Sequence, residues 1–306
     1  MTNEATWYGP PNGVGRVVTA MVTPFREDRS LDLEGAAKLA GHLIEHGTET
    51  IVVNGTTGES PTLSGAEVWE VYKAVRESVA QRATIMVGVG SPDTAKSLAL
   101  TERAEQEGAD AVLVVTPYYN RPSQRMMVQY FRTIAAATSL PVVLYDVPGR
   151  TGTTIDVATH VELAEVDNIV GVKDATGDIG KAADIIAATQ DSNGGFVLWS
   201  GSDEMNLPLL SIGAVGVVSV SAHLVGPEIA AMIEALPHDV ARASELHRRC
   251  MPLHRSLFAE PSPGPLKGAL NALGLPAGPV REPLLDALPD TVASVLSHLE
   301  PITARR

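Results

Sequence analysis

The chain predicts an α/β fold: a closed (β/α)8 TIM barrel followed by a C-terminal helical appendix. Three observations carry that prediction. Short β-rich apolar runs alternate with longer helical patterns from residue 16 to about residue 225. The runs are almost continuously apolar, as expected where both faces of a parallel sheet are covered by helices. No G-x-G-x-x-G follows any of them, which disfavours a doubly wound dinucleotide-binding sheet.

The elements follow in order. Residues 1–15 read as a loose N-terminal arm, and Val17–Val22 is the first strand run. The helical pattern Leu33–His46 leads to Thr50–Val53, and Gly65–Ala80 leads to Thr84–Val89. Thr94–Glu107 precedes Ala111–Val115, and Arg125–Thr138 precedes Pro141–Tyr145. Ile169–Val172, Ile179–Gln190, Phe196–Trp199 and Val215–Val220 complete eight βα units. Several of the helical patterns stand behind a Ser, Asp or Thr able to cap them. Residues 16–225 are therefore the expected catalytic barrel. Residues 226–306 read as helices: Glu228–Leu236, Asp239–Phe258, Leu266–Leu273 and Thr291–His298. The stretch Glu260-Pro-Ser-Pro-Gly-Pro265 carries three prolines and predicts a stiff, extended connection.

Composition excludes several function classes. With 23 Lys plus Arg against 36 Asp plus Glu, the formal charge of −13 disfavours nucleic acid and anionic membrane as partners. An anionic substrate must then meet locally placed donors. The single cysteine, Cys250, excludes an intramolecular disulfide and fits a reducing compartment. The first residues have neither a basic nor an apolar region of a signal peptide, and no apolar run is long enough for a membrane span. These features lead to the expectation of a soluble cytoplasmic protein.

In such a barrel, reactive side chains belong at the C-terminal ends of strands and in the loops that follow. Polar residues cluster there: Gly55-Thr-Thr-Gly-Glu-Ser60, Thr116-Pro-Tyr-Tyr-Asn120, Tyr145-Asp-Val-Pro-Gly-Arg-Thr151, Lys173-Asp-Ala-Thr-Gly-Asp178 and Gly201-Ser-Asp203. Lys173 ends an apolar strand, where burial favours the uncharged amine that Schiff-base chemistry requires; from this strand alone, it reads more readily as a lysine reaching solvent. Tyr145 ends the preceding strand and is a possible proton donor and acceptor. The turn from Gly55 through Thr56 and Thr57 to Gly58 offers hydroxyls and backbone N–H groups to a small carboxylate. It lacks the Lys-Ser/Thr ending of a phosphate-binding loop. Arg150, in a rigid Pro-Gly-Arg-Thr-Gly turn, suits bidentate capture of a carboxylate. Each signal is weak alone; their coincidence on one barrel face carries the inference. The pairs His42/His46 and His247/His254 with Cys250 have metal-like spacing, but lie on an outer helix and in the appendix, and no metal is expected.

These loop motifs, with the opening Thr19-Ala-Met-Val-Thr-Pro24, resemble the dihydrodipicolinate synthase and N-acetylneuraminate lyase family of class I, pyruvate-dependent aldolases. Arg150 and the Glu260–Lys267 stretch look like the synthase branch. The resemblance implies that Lys173 condenses with pyruvate, that Thr57 and the backbone at Val218 bind it, and that Thr56 and Tyr145 relay protons. Tyr119 completes the relay from a neighbouring subunit, in a homotetramer built as a dimer of dimers. The second substrate implied is L-aspartate 4-semialdehyde, its carboxylate on Arg150; no metal or organic cofactor is implied. The alternative is a related aldolase or dehydratase acting on 2-keto-3-deoxy sugar acids or another aldehyde; a catalytically silent keto-acid binder is a third. Asp146 departs from the family's commoner asparagine. Gly65, Pro92 and Lys96 stand where lysine-inhibited members place histidine, asparagine and glutamate, so feedback by lysine is expected to be weak or absent.

Overall fold

The eight strands hydrogen-bond in chain order and close on themselves in the computed structural model, which describes residues 13–192 and 195–304. They are β1 (Val17–Ala20), β2 (Thr50–Val53), β3 (Thr84–Gly88), β4 (Ala111–Val115), β5 (Val142–Asp146), β6 (Ile169–Asp174), β7 (Val197–Ser200) and β8 (Gly216–Ser219). Every neighbouring pair is parallel, and β8 pairs back onto β1 through Val18↔Val218. The outer layer comprises α1 (Leu33–Glu45), α2 (Gly65–Val79), α3 (Thr94–Gln106), α4 (Gln124–Ala135), α5 (Pro148–Thr151), α6 (Val157–Ala164), α7 (Ile179–Thr189) and α8 (Asn206–Ser211). The helical appendix consists of α9 (Ala222–Ala235), α10 (Val240–Ser256), α11 (Gly264–Ala272) and α12 (Pro289–Thr303). This is the TIM barrel with appended helices that the alternation predicts.

Alternating side chains along the strands build two cores. Val18, Val52, Met86, Leu113, Val143 and Trp199 fill the barrel interior, while Val17, Ile51, Val87, Val112 and Leu144 pack outward against the helices. The helices are held by that contact more than by propensity. On α4, Met127, Phe131 and Ile134 are fully buried, and each such side chain contributes about 1.5–3 kcal/mol.

Three local expectations are corrected. The last residues of the arm are held, not loose: Val14 is buried in the interior cluster, Gly15 N–H donates to Thr50 Oγ1 (2.8 Å) and Gly15 O accepts from Trp199 Nε1 (3.0 Å). The rest of the arm, residues 1–12, lies outside the described residues. The proline-rich stretch is a tight turn, not an extended connector. Gly264 N–H returns to Pro261 O at 3.1 Å and α11 begins there, because a proline in a first helical turn lacks only a donor that would go unused. The expected boundary at 225/226 falls inside α9, where Val225 leaves helical geometry (φ −129°, ψ 32°) two residues before Pro227.

One irregularity places the site. Ile169 pairs with Val142, but Gly171 pairs with Val143, so β6 carries an extra residue at Val170. The extra residue resets the in–out alternation and brings Lys173 level with Tyr145 on the inner face.

Candidate active site

Lys173 lies between Tyr145 of β5 and Trp199 of β7 in the register of the sheet. Its side chain is buried, and Nζ stands 4.1 Å from the centroid of the Tyr145 ring. The negative face of the phenol ring attracts a cation there. Nζ takes no hydrogen-bond acceptor among the described residues. Two glycines make room for this arrangement. A Cβ on Gly171 would meet Trp199 Cζ3 at 2.7 Å, and one on Gly201 would meet Lys173 Cγ at 2.9 Å.

After β2 the chain turns sharply. Asn54 adopts φ 56° and ties back through Nδ2 to Gly88 O at 2.6 Å. Gly58 N–H donates to Gly55 O (3.1 Å) and Glu59 N–H to Thr56 O (3.0 Å), closing the turn that presents Thr56 and Thr57. Thr57 is buried, and Gly58 O accepts from Thr23 Oγ1 at 2.7 Å.

Arg150 stands on α5, which begins with Pro148 and is braced by Thr151 Oγ1 on Val147 O (3.2 Å) and Thr153 O (2.8 Å). Its side chain makes no ion pair among the described residues. Thr56 and Arg150 line one cavity of about 330 Å³, together with Asn54, Tyr118, Thr151, Gly65 and Lys96. Among the described residues, Lys96 and Arg150 are the charged ones of that lining, and no carboxylate belongs to it. Lys173, Tyr145, Thr57 and Val218 are not among the residues that line this cavity; Lys173, Tyr145 and Val218 lie toward strand ends and Thr57 in the turn after β2. Val218 is buried in the interior cluster beside Val18. Tyr119 stands apart, 94% exposed, on a loop where its φ is 71°.

One residue beyond the inner pair, Asp146 and Asp174 are again neighbours in register. Asp146 Oδ2 accepts from Lys181 Nζ (2.8 Å), Thr154 Oγ1 (2.7 Å) and Ile155 N–H (3.0 Å). Lys181 supplies the counter-charge that an asparagine at 146 would not need. Burial pushes the Asp174 carboxyl up, with Asp146 adding to the effect, while hydrogen bonds from Thr176 oppose it. In the loop after β7, next to β6, Asp203 clamps the end of β8. It accepts from Ser219 Oγ and from the N–H groups of Val220 (3.1 Å) and Ser221 (2.9 Å).

Lys181 and the clamp by Asp203 escaped the sequence reading. Asp203 belongs to the polar Gly201-Ser-Asp203 loop, but its partners depend on where β8 ends. The histidine pairs serve elsewhere: His42 and His46 stack at 4.0 Å, and the His247 and His254 rings lie 6.2 Å apart. Among the described residues no group of three or more His, Cys, Asp or Glu could hold a metal ion. Cys250 is buried in the outer core, and no described helix is long and apolar enough to cross a membrane.

The Dihydrodipicolinate synthetase family model matches residues 13–300. The 4-hydroxy-tetrahydrodipicolinate synthase of Acidothermus cellulolyticus is 49% identical over 92% of this chain and 91% of its own, and that of Moorella thermoacetica is 45% identical over 94% and 97%. Among solved structures, a dihydrodipicolinate synthase from Bacillus anthracis superposes with a TM-score of 0.90 at 43% identity, covering 94% of this chain and 98% of that one. An enzyme of the same name from Cyanidioschyzon merolae, solved with lysine bound, gives 0.90 at 41% identity over 94% and 98%. A match that spans the barrel, its strand-end loops and the appended helices alike means that this chain belongs to the dihydrodipicolinate synthetase family.

Proposed function

We propose that this chain condenses pyruvate with L-aspartate 4-semialdehyde, giving 4-hydroxy-tetrahydrodipicolinate, and that Lys173 carries pyruvate as a Schiff base. The observation that supports this most is Lys173 itself: a buried amine with no acceptor among the described residues, facing the Tyr145 ring at a barrel strand end. Once the ammonium has given up a proton, the amine lone pair attacks the keto carbon of pyruvate, and loss of water gives an iminium. That cation acidifies the pyruvate methyl group, so hydroxyls suffice to move its proton. Tyr145 and Thr56 relay protons, while Thr57 and the backbone at Val218 hold the pyruvate carboxylate, within a turn shaped by Gly55 and Gly58. The enamine then attacks the aldehyde carbon of the semialdehyde. Attack of the semialdehyde amine on the iminium closes the ring and frees Lys173.

Arg150 holds the carboxylate of the second substrate. Among the described residues, the cavity it shares with Thr56 and Lys96 is lined by two cations and no carboxylate. That charge suits an anionic substrate and opposes a cationic effector such as lysine. The reading needs no metal or organic cofactor, since the substrate supplies its own electron sink. Tyr119, nearly fully exposed, reaches a neighbouring subunit in a homotetramer built from dimers. We place the enzyme in the cytoplasm, in keeping with a sequence that holds a single cysteine.

A coupled assay tests the choice of aldehyde. Turnover of pyruvate with aspartate semialdehyde is expected, with little cleavage of 2-keto-3-deoxy sugar acids. The reverse preference would contradict the assignment.

A further inference from the structure

We propose that Glu59 is a positioning residue for the pyruvate-holding turn, and that Lys267, from the helical appendix, anchors it there. The inference rests on the aldolase reading and adds a role for the appendix in it.

The two side chains form an ion pair of 2.8 Å and are almost fully buried, at 1% exposure for Glu59 and 2% for Lys267. Lys267 Nζ donates all three protons: to Glu59 Oε1 (2.8 Å), Thr23 O (2.9 Å) and Pro279 O (2.7 Å). The second oxygen, Glu59 Oε2, accepts from Arg281 N–H at 2.8 Å. Phe25 is held between the two cations, with Lys267 Nζ 4.3 Å and Arg281 Cζ 4.2 Å from its ring centroid. Burial opposes the charge on Lys267, and the Glu59 carboxylate counters that effect.

Two arms run from this ammonium to the turn. Through Glu59, the backbone N–H reaches Thr56 O; through Thr23, the hydroxyl reaches Gly58 O. Glu59 itself adopts φ 58°, a left-handed conformation sparsely populated by residues other than glycine. Such a conformation persists where surrounding contacts over-determine it, as they do here.

Stability alone does not call for a buried ion pair. Packed apolar residues of similar volume commonly serve as well or better. An apolar pair cannot, however, grip two backbone carbonyls and an amide while setting the angle of the turn. The pair therefore aims Thr56 and Thr57, and it does so from a helix outside the barrel.

The test replaces both charges, in Glu59→Met/Lys267→Met, and follows borohydride trapping of pyruvate on Lys173 in the full-length chain. The double variant is expected to fold and, at saturating pyruvate, to form the adduct. Its half-saturating pyruvate concentration should rise about tenfold or more, because the turn is misplaced while the amine is intact. A folded variant within about twofold of wild type overturns the proposal. Should the double variant fail to fold, Glu59→Gln serves. Its amide sets an NH2 donor where one of the two carboxylate oxygens now accepts, from Lys267 or from Arg281 N–H, so a rise of about threefold or more supports the proposal and an unchanged value overturns it. Absence of an adduct in the wild-type chain overturns the aldolase reading, and this one with it.

Discussion

Two buried lysines of this chain are held in opposite ways. Lys267 spends all three protons on oxygen acceptors, whereas Lys173 faces a ring and keeps its amine available. Lys173 was legible in the sequence because a lysine ending an apolar strand stands out. Lys267 was not, because its partner Glu59 is 208 residues away and only the closed fold joins them. The same holds for Lys181, whose pairing with Asp146 explains a departure from the family pattern. Asp146 is fully buried and Lys181 nearly so, at 14% exposure. Lys181→Met therefore leaves an uncompensated carboxylate and should cost about 3–5 kcal/mol in urea unfolding. Asp146→Asn should cost much less, since Lys181 keeps Thr154 Oγ1 and an edge toward water. Equal losses would mean that the pair is not what holds these strand ends.

The strands and long helices were readable because each repeats its apolar residues at its own period. The α6 and α8 helices, of eight and six residues, are too short to show a period, and neither stood out. The bulge at Val170 left no signal either, since a continuously apolar strand reads alike in both registers. Without the extra residue, the alternation would turn Lys173 outward. At helix starts, local chemistry is explicit. Ser64 accepts from Glu67 N–H, and Glu67 returns a bond to Ser64 N–H at 2.8 Å, a reciprocal cap on α2. Ser64→Ala should lower stability by about 1 kcal/mol in urea unfolding. Glu67→Ala should lower it further, because Glu67 also pairs with Arg281 across to the appendix. An equal loss from the two would show the Arg281 pair to be without effect.

Across the whole molecule, the −13 charge surrounds a cavity whose charged lining residues are both cations, so the global sign and the local sign differ. Composition showed the first; the second required the loops to converge. Acid sensitivity is another property of the whole. Burial lowers His160 from 6.5 to about 3, and His223 and His247 from 6.5 to about 4. The unfolded chain therefore binds protons below 6.5 that the folded chain refuses, and stability falls as pH drops from about 6.5 to 4. His223 shows the geometry: Nδ1–H meets Val220 O at 2.8 Å and Nε2 accepts Val22 N–H at 3.2 Å, so protonation loses an acceptor. Glu67, held down at about 2 by Arg281, adds stability above its ordinary 4.5 that is lost between 4.5 and 2. Thermal melts should therefore fall steadily below pH 6.5; a flat profile from 6.5 to 4 would contradict the buried neutral histidines. Subunit exchange belongs to this scale too. Mixing Tyr119→Phe chains with Lys173→Ala chains should restore activity if Tyr119 acts on its neighbour, and no recovery would confine it to its own subunit. The proposed mechanism turns on one covalent bond. Borohydride reduction with pyruvate, followed by peptide mass spectrometry, should find a single pyruvyl adduct on Lys173 that Lys173→Ala abolishes; no adduct, or one on another lysine, would contradict the account.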